Sequence, residues 1–264
     1  MLIAAQAGLV LGPRPMLPMP LRRLRSSAWA WALLPVSLGG TIAILAAVPS
    51  LAHVYAWVAA IGVPILAAVA LAALGEDRWR GRVANALGAV VAAGGLLALA
   101  WAGHGLWAQV AAVALTALSA CALASYLAQL APALVLKVAL VAMAVLDAVL
   151  VFGHLLQGPN NALNAASVGA GLPHFQLAHF QHAVMGYGDL FVAAVLGCVL
   201  AQAALPAWPP RWVGAVAVLA LSALFDLLFF VVDTLPATVP VAVALLLLES
   251  VRRWRARPAA SLPA

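Results

Sequence analysis

Ala183–Gly197 reads AVMGYGDLFVAAVLG. From Leu190 onward it is continuously apolar, the pattern of a buried or membrane-crossing helix and not of a half-buried strand. The whole chain follows suit: 67% of its 264 residues are hydrophobic and 8% are charged. A soluble domain carries about 25% charged residues. Apolar runs of about 20 residues are long enough to cross a bilayer as helices. The fold class expected is therefore all-α, a polytopic transmembrane helix bundle, and no separate soluble domain is visible.

Eight spans are expected, near Ala28–Val48, Leu51–Leu74, Val83–Gly103, Gly105–Tyr126, Pro132–Leu156, Phe180–Leu205, Trp212–Val232 and Pro236–Val251. Met1–Gly12 is a candidate ninth, partial element; it lacks the basic start and cleavage site of a signal peptide. The chain divides into a cytoplasmic arm (1–27), a four-helix membrane scaffold (28–131), a core carrying the chemistry (132–251) and a cytoplasmic tail (252–264).

The net charge of +6 comes from arginines that flank apolar runs. That pattern orients a chain in a lipid bilayer and does not point to nucleic acid. Arg14, Arg22, Arg23 and Arg25 precede the first span, and Arg78, Arg80 and Arg82 follow the second. Arg211 precedes the seventh, and Arg252, Arg253, Arg255 and Arg257 follow the last. With an even span count all lie on one side, so both termini are expected in the cytoplasm and the 157–179 loop outside. Lys137, near the cytoplasmic start of the fifth span, is expected to snorkel outward. Cys121 and Cys198 read as small core residues.

Seven residues are acidic. Glu76, Asp77 and Glu249 stand beside arginines and read as ordinary interfacial charges. Asp147, Asp189, Asp226 and Asp233 fall within or at the end of apolar spans. An aspartate at bilayer depth costs roughly 2.5–3.5 kcal/mol on insertion scales and usually marks a functional polar interior. Counted from the expected span ends, Asp147 and Asp189 each lie about 14 Å deep at 1.5 Å per residue, which allows them to face one another. Gly186 and Gly188 remove side chains just before Asp189 and let a backbone come close. Pro236 and Pro240 lack the N–H groups a first helical turn uses, so backbone around Asp233–Pro240 is left to line a cavity or pair with an extended peptide.

Asp147, then Gly186-Tyr187-Gly188-Asp189, then Pro236-Ala237-Thr238, in this order, resemble the GxGD intramembrane aspartyl proteases, the presenilin and signal peptide peptidase family. The resemblance covers roughly 132–251. Leu146 stands where the family usually has tyrosine, Thr238 where it has leucine, and the family typically has nine spans. The resemblance implies a presenilin-like arrangement of the C-terminal half and an Asp147/Asp189 dyad that hydrolyses membrane-spanning peptides with water. Gly186, Tyr187 and Gly188 would support the motif, and Pro236, Ala237 and Thr238 would hold substrate, with no metal or other cofactor. A bacterial- or archaeal-type protein of a prokaryotic plasma membrane, oriented like signal peptide peptidase, is the implied setting. Prepilin peptidases share the Gly-x-Gly-Asp motif but fit less well, because an apolar run follows Asp189 instead of basic residues.

Two rivals stand beside this reading. Intramembrane aspartates near broken helices also mark ion- or metal-coupled transporters. Asp147, Asp189 and Asp226 with the loop histidines would then form the pathway, and Asp226, Asp233 and His154 an additional polar site. His154 follows Asp147 by seven residues on about the same helix face. His179 and His182 would share a helix face if their segment were helical. The other rival is an inactive member that binds membrane segments.

Overall fold

The computed structural model describes residues 1–12, 36, 40–41, 43–75, 82–155, 157–166, 168–169, 172–202, 210–230 and 235–256. Most of the first expected span, Asp233, and the arginine clusters at 14–25 and 78–80 lie outside the described residues. The chain is mostly helical. Helix α1 is Leu2–Leu9, α2 Ala52–Gly75, α3 Arg82–Ala102, α4 Leu106–Leu130, α5 Ala133–Phe152 and α6 Gln157–Ala165. A two-stranded hairpin follows, β1 Leu177–Phe180 and β2 Ala183–Gly186, and then α7 Tyr187–Gln202, α8 Arg211–Asp226 and α9 Val239–Ala256.

Four helices among the described residues, α2 to α5, are long and apolar enough to cross a membrane, and α7 is a shorter apolar helix. Their composition explains their form. Leucine and alanine favour helix, and with few polar side chains the backbone groups are best satisfied within the segment itself. Val58, Ile61, Ile65, Val90 and Val91 expose large apolar side chains on α2 and α3, as a lipid-facing surface would. In contrast, α7 is enclosed: every residue from Leu190 to Leu200 is buried. It is the axis of the main core, packed by α1, α4, α5, α8 and α9.

Three boundaries differ from those read in the sequence. The sixth apolar segment does not begin as helix at Phe180; Leu177–Phe180 and Ala183–Gly186 pair antiparallel, Leu177 opposite Gly186, with Gln181 turning at φ 54°. Among the described residues the fold is thus helical with one small β-hairpin and not purely α. The fifth helix ends at Phe152, four residues early, where Gly153 and His154 turn the chain. The candidate partial element Met1–Gly12 is helical over Leu2–Leu9 only, and this helix packs on α7 and α8.

Two contacts seat α1. A Cβ on Gly197 would lie 2.5 Å from the carbonyl oxygen of Val10, so only glycine permits this approach of α1 to α7. Arg211 donates from Nε to the Val10 carbonyl at 3.1 Å and from Nη2 to the Val10 and Gly12 carbonyls at 2.7 and 3.2 Å. It thereby satisfies carbonyls that a helix end leaves without intrahelical partners. At the corresponding end of the bundle Lys137 on α5 pairs with Glu249 on α9. Arg252 Nε donates to the other Glu249 oxygen at 2.9 Å. Lys137, expected to snorkel into the interface, is therefore held by a carboxylate.

Candidate functional site

Asp147 sits on α5, five residues (about 7.5 Å) before the helix end at Phe152. Its neighbour across the packing is the turn that opens α9. Thr238 is buried, with 2% of its surface exposed, and its Oγ1 donates to Asp147 Oδ2 at 2.6 Å. The Thr238 backbone N–H donates to the same oxygen at 3.4 Å. The turn is built by the sequence. Pro236 restricts the backbone, Val239 N–H returns to the Pro236 carbonyl at 3.2 Å, and Ala242 N–H starts the helix on the Thr238 carbonyl at 3.1 Å. Thr238, which the resemblance implies would hold substrate, points its hydroxyl at the Asp147 carboxylate.

Asp189 is the third residue of α7, not a mid-span residue, because the helix begins at Tyr187 and not at Phe180. Its Oδ2 accepts the Gly186 backbone N–H at 3.0 Å. A third-position carboxylate reaching back to the residue before the helix is one half of a capping box, and the helix N-terminus favours its negative charge. Gly186 leaves room for this: a Cβ there would lie 3.2 Å from Asp189 Oδ2. The two motif glycines differ in role. A Cβ on Gly188 would meet nothing within 4 Å, so open space adjoins the residue next to Asp189. Tyr187 is anchored on both sides, its N–H on the Gln176 carbonyl at 3.2 Å and its hydroxyl accepting from Ser119 Oγ at 3.2 Å.

The turn before α9 adjoins both aspartates: Thr238 donates to Asp147, and the Ala237 and Asp189 carbonyls share one donor, the Gln6 amide. The structure therefore brings together Asp147, Asp189, Gly186 and Thr238, on α5, α7, the end of β2 and the turn before α9. Of the other expected polar residues that are described, Asp226 and His154 are not brought in. Asp226 is exposed at the last position of α8, and His154 is exposed just past α5. Neither hydrogen-bonds to Asp147 or Asp189. His179 and His182 lie at the end of β1 and in the hairpin turn, so they do not share a helix face. Among the described residues no group of three or more His, Cys, Asp or Glu side chains is placed to hold a metal ion.

One buried polar residue escaped the sequence reading. Gln6 on α1 is 1% exposed. Its Nε2 donates to the Ala237 carbonyl at 3.1 Å and to the Asp189 carbonyl at 3.5 Å, and its Oε1 accepts from Ser222 Oγ at 3.1 Å. The available signal was a lone amide inside the apolar segment LIAAQAGLV.

Comparisons with protein-family models, with curated proteins and with solved structures find no match to this chain.

Proposed function

We propose that this chain is an intramembrane aspartyl protease of the GxGD type, which hydrolyses peptide bonds of membrane-spanning substrates with Asp147 and Asp189. The observation that carries the reading is the convergence of the three motif elements: Thr238 of the Pro-Ala-Thr turn donates to the Asp147 carboxylate, and the carbonyls of Ala237 and Asp189 share the Gln6 amide. Two adjacent carboxyls share one proton more readily than they both ionise. The ionised member takes a proton from water as that water attacks the scissile carbonyl carbon. The protonated member donates to the carbonyl oxygen, giving a gem-diol. Collapse of the diol breaks the C–N bond and passes a proton to the leaving amine. The chemistry uses no metal or organic cofactor.

Substrate would lie in the space beside Gly188. A two-stranded hairpin leaves an edge of backbone donors and acceptors on each strand, and β2 runs directly into Gly186. An extended peptide paired to such an edge would bring its carbonyl toward the dyad. The chain would cross a prokaryotic plasma membrane eight times, with α1 as a ninth, partial element. The pairing of Lys137 with Glu249 and the position of Arg211 support one basic face, which the positive-inside rule assigns to the cytoplasm.

The test is cleavage of a single-span peptide by the purified full-length chain in detergent, read by mass spectrometry of the products. Asp147→Asn and Asp189→Asn are each expected to abolish cleavage while remaining folded. Normal cleavage by both variants would overturn the assignment. Proton or metal movement into proteoliposomes, lost on replacing Asp226, would favour a transporter.

A further inference from the structure

We propose that Gln6 is a positioning residue of the dyad, a buried amide on α1 that fixes the spacing between the Asp189 backbone and the peptide unit that contacts Asp147. The inference rests on the protease reading and extends it to an element outside the three motifs.

The geometry is specific. Gln6 Nε2 donates to the carbonyl of Ala237 at 3.1 Å. That carbonyl belongs to the same planar peptide unit as the Thr238 N–H, which donates to Asp147 Oδ2 at 3.4 Å. One side of the peptide is therefore held by Gln6, and the other faces the Asp147 carboxylate. The same Nε2 reaches the carbonyl of Asp189 at 3.5 Å. A single side chain thus touches the backbone of one carboxylate's own residue and the peptide that orients the other. Its acceptor oxygen is occupied too, by Ser222 Oγ on α8 at 3.1 Å. The two carbonyls set the amide's orientation, since flipping it would bring its oxygen against both of them.

The rest of α1 makes this contact rigid. Arg211 binds the carbonyls of Val10 and Gly12, and Gly197 lets the Val10 backbone lie against α7. Contacts at Gln6–Ser222 and Val10–Arg211 run in opposite chain directions, so α1 lies antiparallel to α8 and is fastened at its middle and just past its C-terminal end. An amide buried at 1% exposure is costly unless satisfied, and here each of its polar atoms has a partner. Met and Glu match its length but not its donors, which separates shape from hydrogen bonding.

The experiment compares wild type, Gln6→Met, Gln6→Glu and Ser222→Ala, as full-length protein in detergent. Cleavage of the single-span peptide is resolved into kcat and KM, and amide hydrogen exchange is followed over 187–190 and 237–239. Positioning predicts that Gln6→Met and Gln6→Glu lower kcat about 100-fold, the scale of an ångström-sized misplacement, with KM within about twofold. It also predicts faster exchange at Thr238 in both variants, and a smaller change in each quantity for Ser222→Ala. If both Gln6 variants keep the wild-type kcat, or lose activity only in proportion to lost folded protein, the proposal is wrong. Should wild type itself not cleave, the protease reading fails, and exchange still decides the clamp: unchanged Thr238 exchange in Gln6→Met refutes it.

Discussion

Thr238 bears on the site more directly than its motif position suggested. Its hydroxyl lies 2.6 Å from Asp147 Oδ2, a length typical of a hydrogen bond to a charged oxygen. Thr238→Val keeps the branched shape and removes the donor. It is expected to lower kcat by about 10- to 100-fold, with Thr238→Ser near wild type, because a hydrogen bond to a charged group contributes about 1.5–3 kcal/mol. The measurement is steady-state cleavage of a single-span peptide, and equal kcat for the valine and wild-type chains would remove Thr238 from the mechanism. Gly188 offers a complementary probe. Apart from its chain neighbours and its own helix backbone, nothing lies within 4 Å of a Cβ built there. Gly188→Ala should therefore leave stability unchanged or raise it by up to about 1 kcal/mol, since alanine is the better helix former. Cleavage should nonetheless fall through a higher KM, if substrate occupies that space. Thermal unfolding in detergent and a substrate titration check the two halves separately.

The hairpin and the α5–α9 clamp make predictions of their own at the scale of the element. Partial burial and the neighbouring His174 imidazole hold His179 below its ordinary 6.5. The two rings stand edge to face with centroids 6.3 Å apart. An opened hairpin takes up this proton near 6.5 and the closed hairpin only at lower pH, so protonation favours opening. Hairpin stability is therefore fully present above 6.5 and declines as pH falls through the interval between that value and the lower folded one. Exchange of amides 177–186, corrected for intrinsic rates, should quicken between about pH 7.5 and 5.5, and His179→Asn should abolish the trend. At the other end of the bundle, Lys137→Met removes one of the two cations on Glu249. It should cost about 1–3 kcal/mol, less than breaking a buried pair outright, because Arg252 remains. The contrast between these elements shows what was legible in the sequence. Long apolar runs announced α2 to α5 to within a few residues at most ends, since composition alone decides whether a helix suits a bilayer. The hairpin was hidden, because Phe180–Gly186 is apolar enough to extend the run behind it, and short apolar runs do not separate strand from helix. That error displaced Asp189 from a helix N-terminus into mid-span. The order of the three motifs was readable; the Thr238 hydroxyl on Asp147 and the Gln6 amide were not, because both depend on contacts between residues 91 and 231 positions apart.

Among the described residues α1, α4, α5, α8 and α9 pack around α7, with the two aspartates where α5, α7 and the turn before α9 meet. The orientation of the whole molecule is open to labelling. Cys121 and Cys198 are 3% and 5% exposed, so native thiols should stay silent. A cysteine replacing Gly158 should react with an impermeant maleimide applied outside intact cells, and one replacing Ala259 only after permeabilisation; the reverse pattern would invert the proposed topology. The central claim is that Asp147 and Asp189 work as one acid–base unit, and a peptide carrying a hydroxyl in place of the scissile carbonyl measures this most directly. Its tetrahedral centre mimics the gem-diol, and mimics of this kind bind at least about 100-fold more tightly than substrate. Calorimetric titration of the wild-type chain, Asp147→Asn and Asp189→Asn with this peptide should show tight binding by wild type and a loss of about 100-fold or more in each variant. Equal affinity for all three chains would contradict the account.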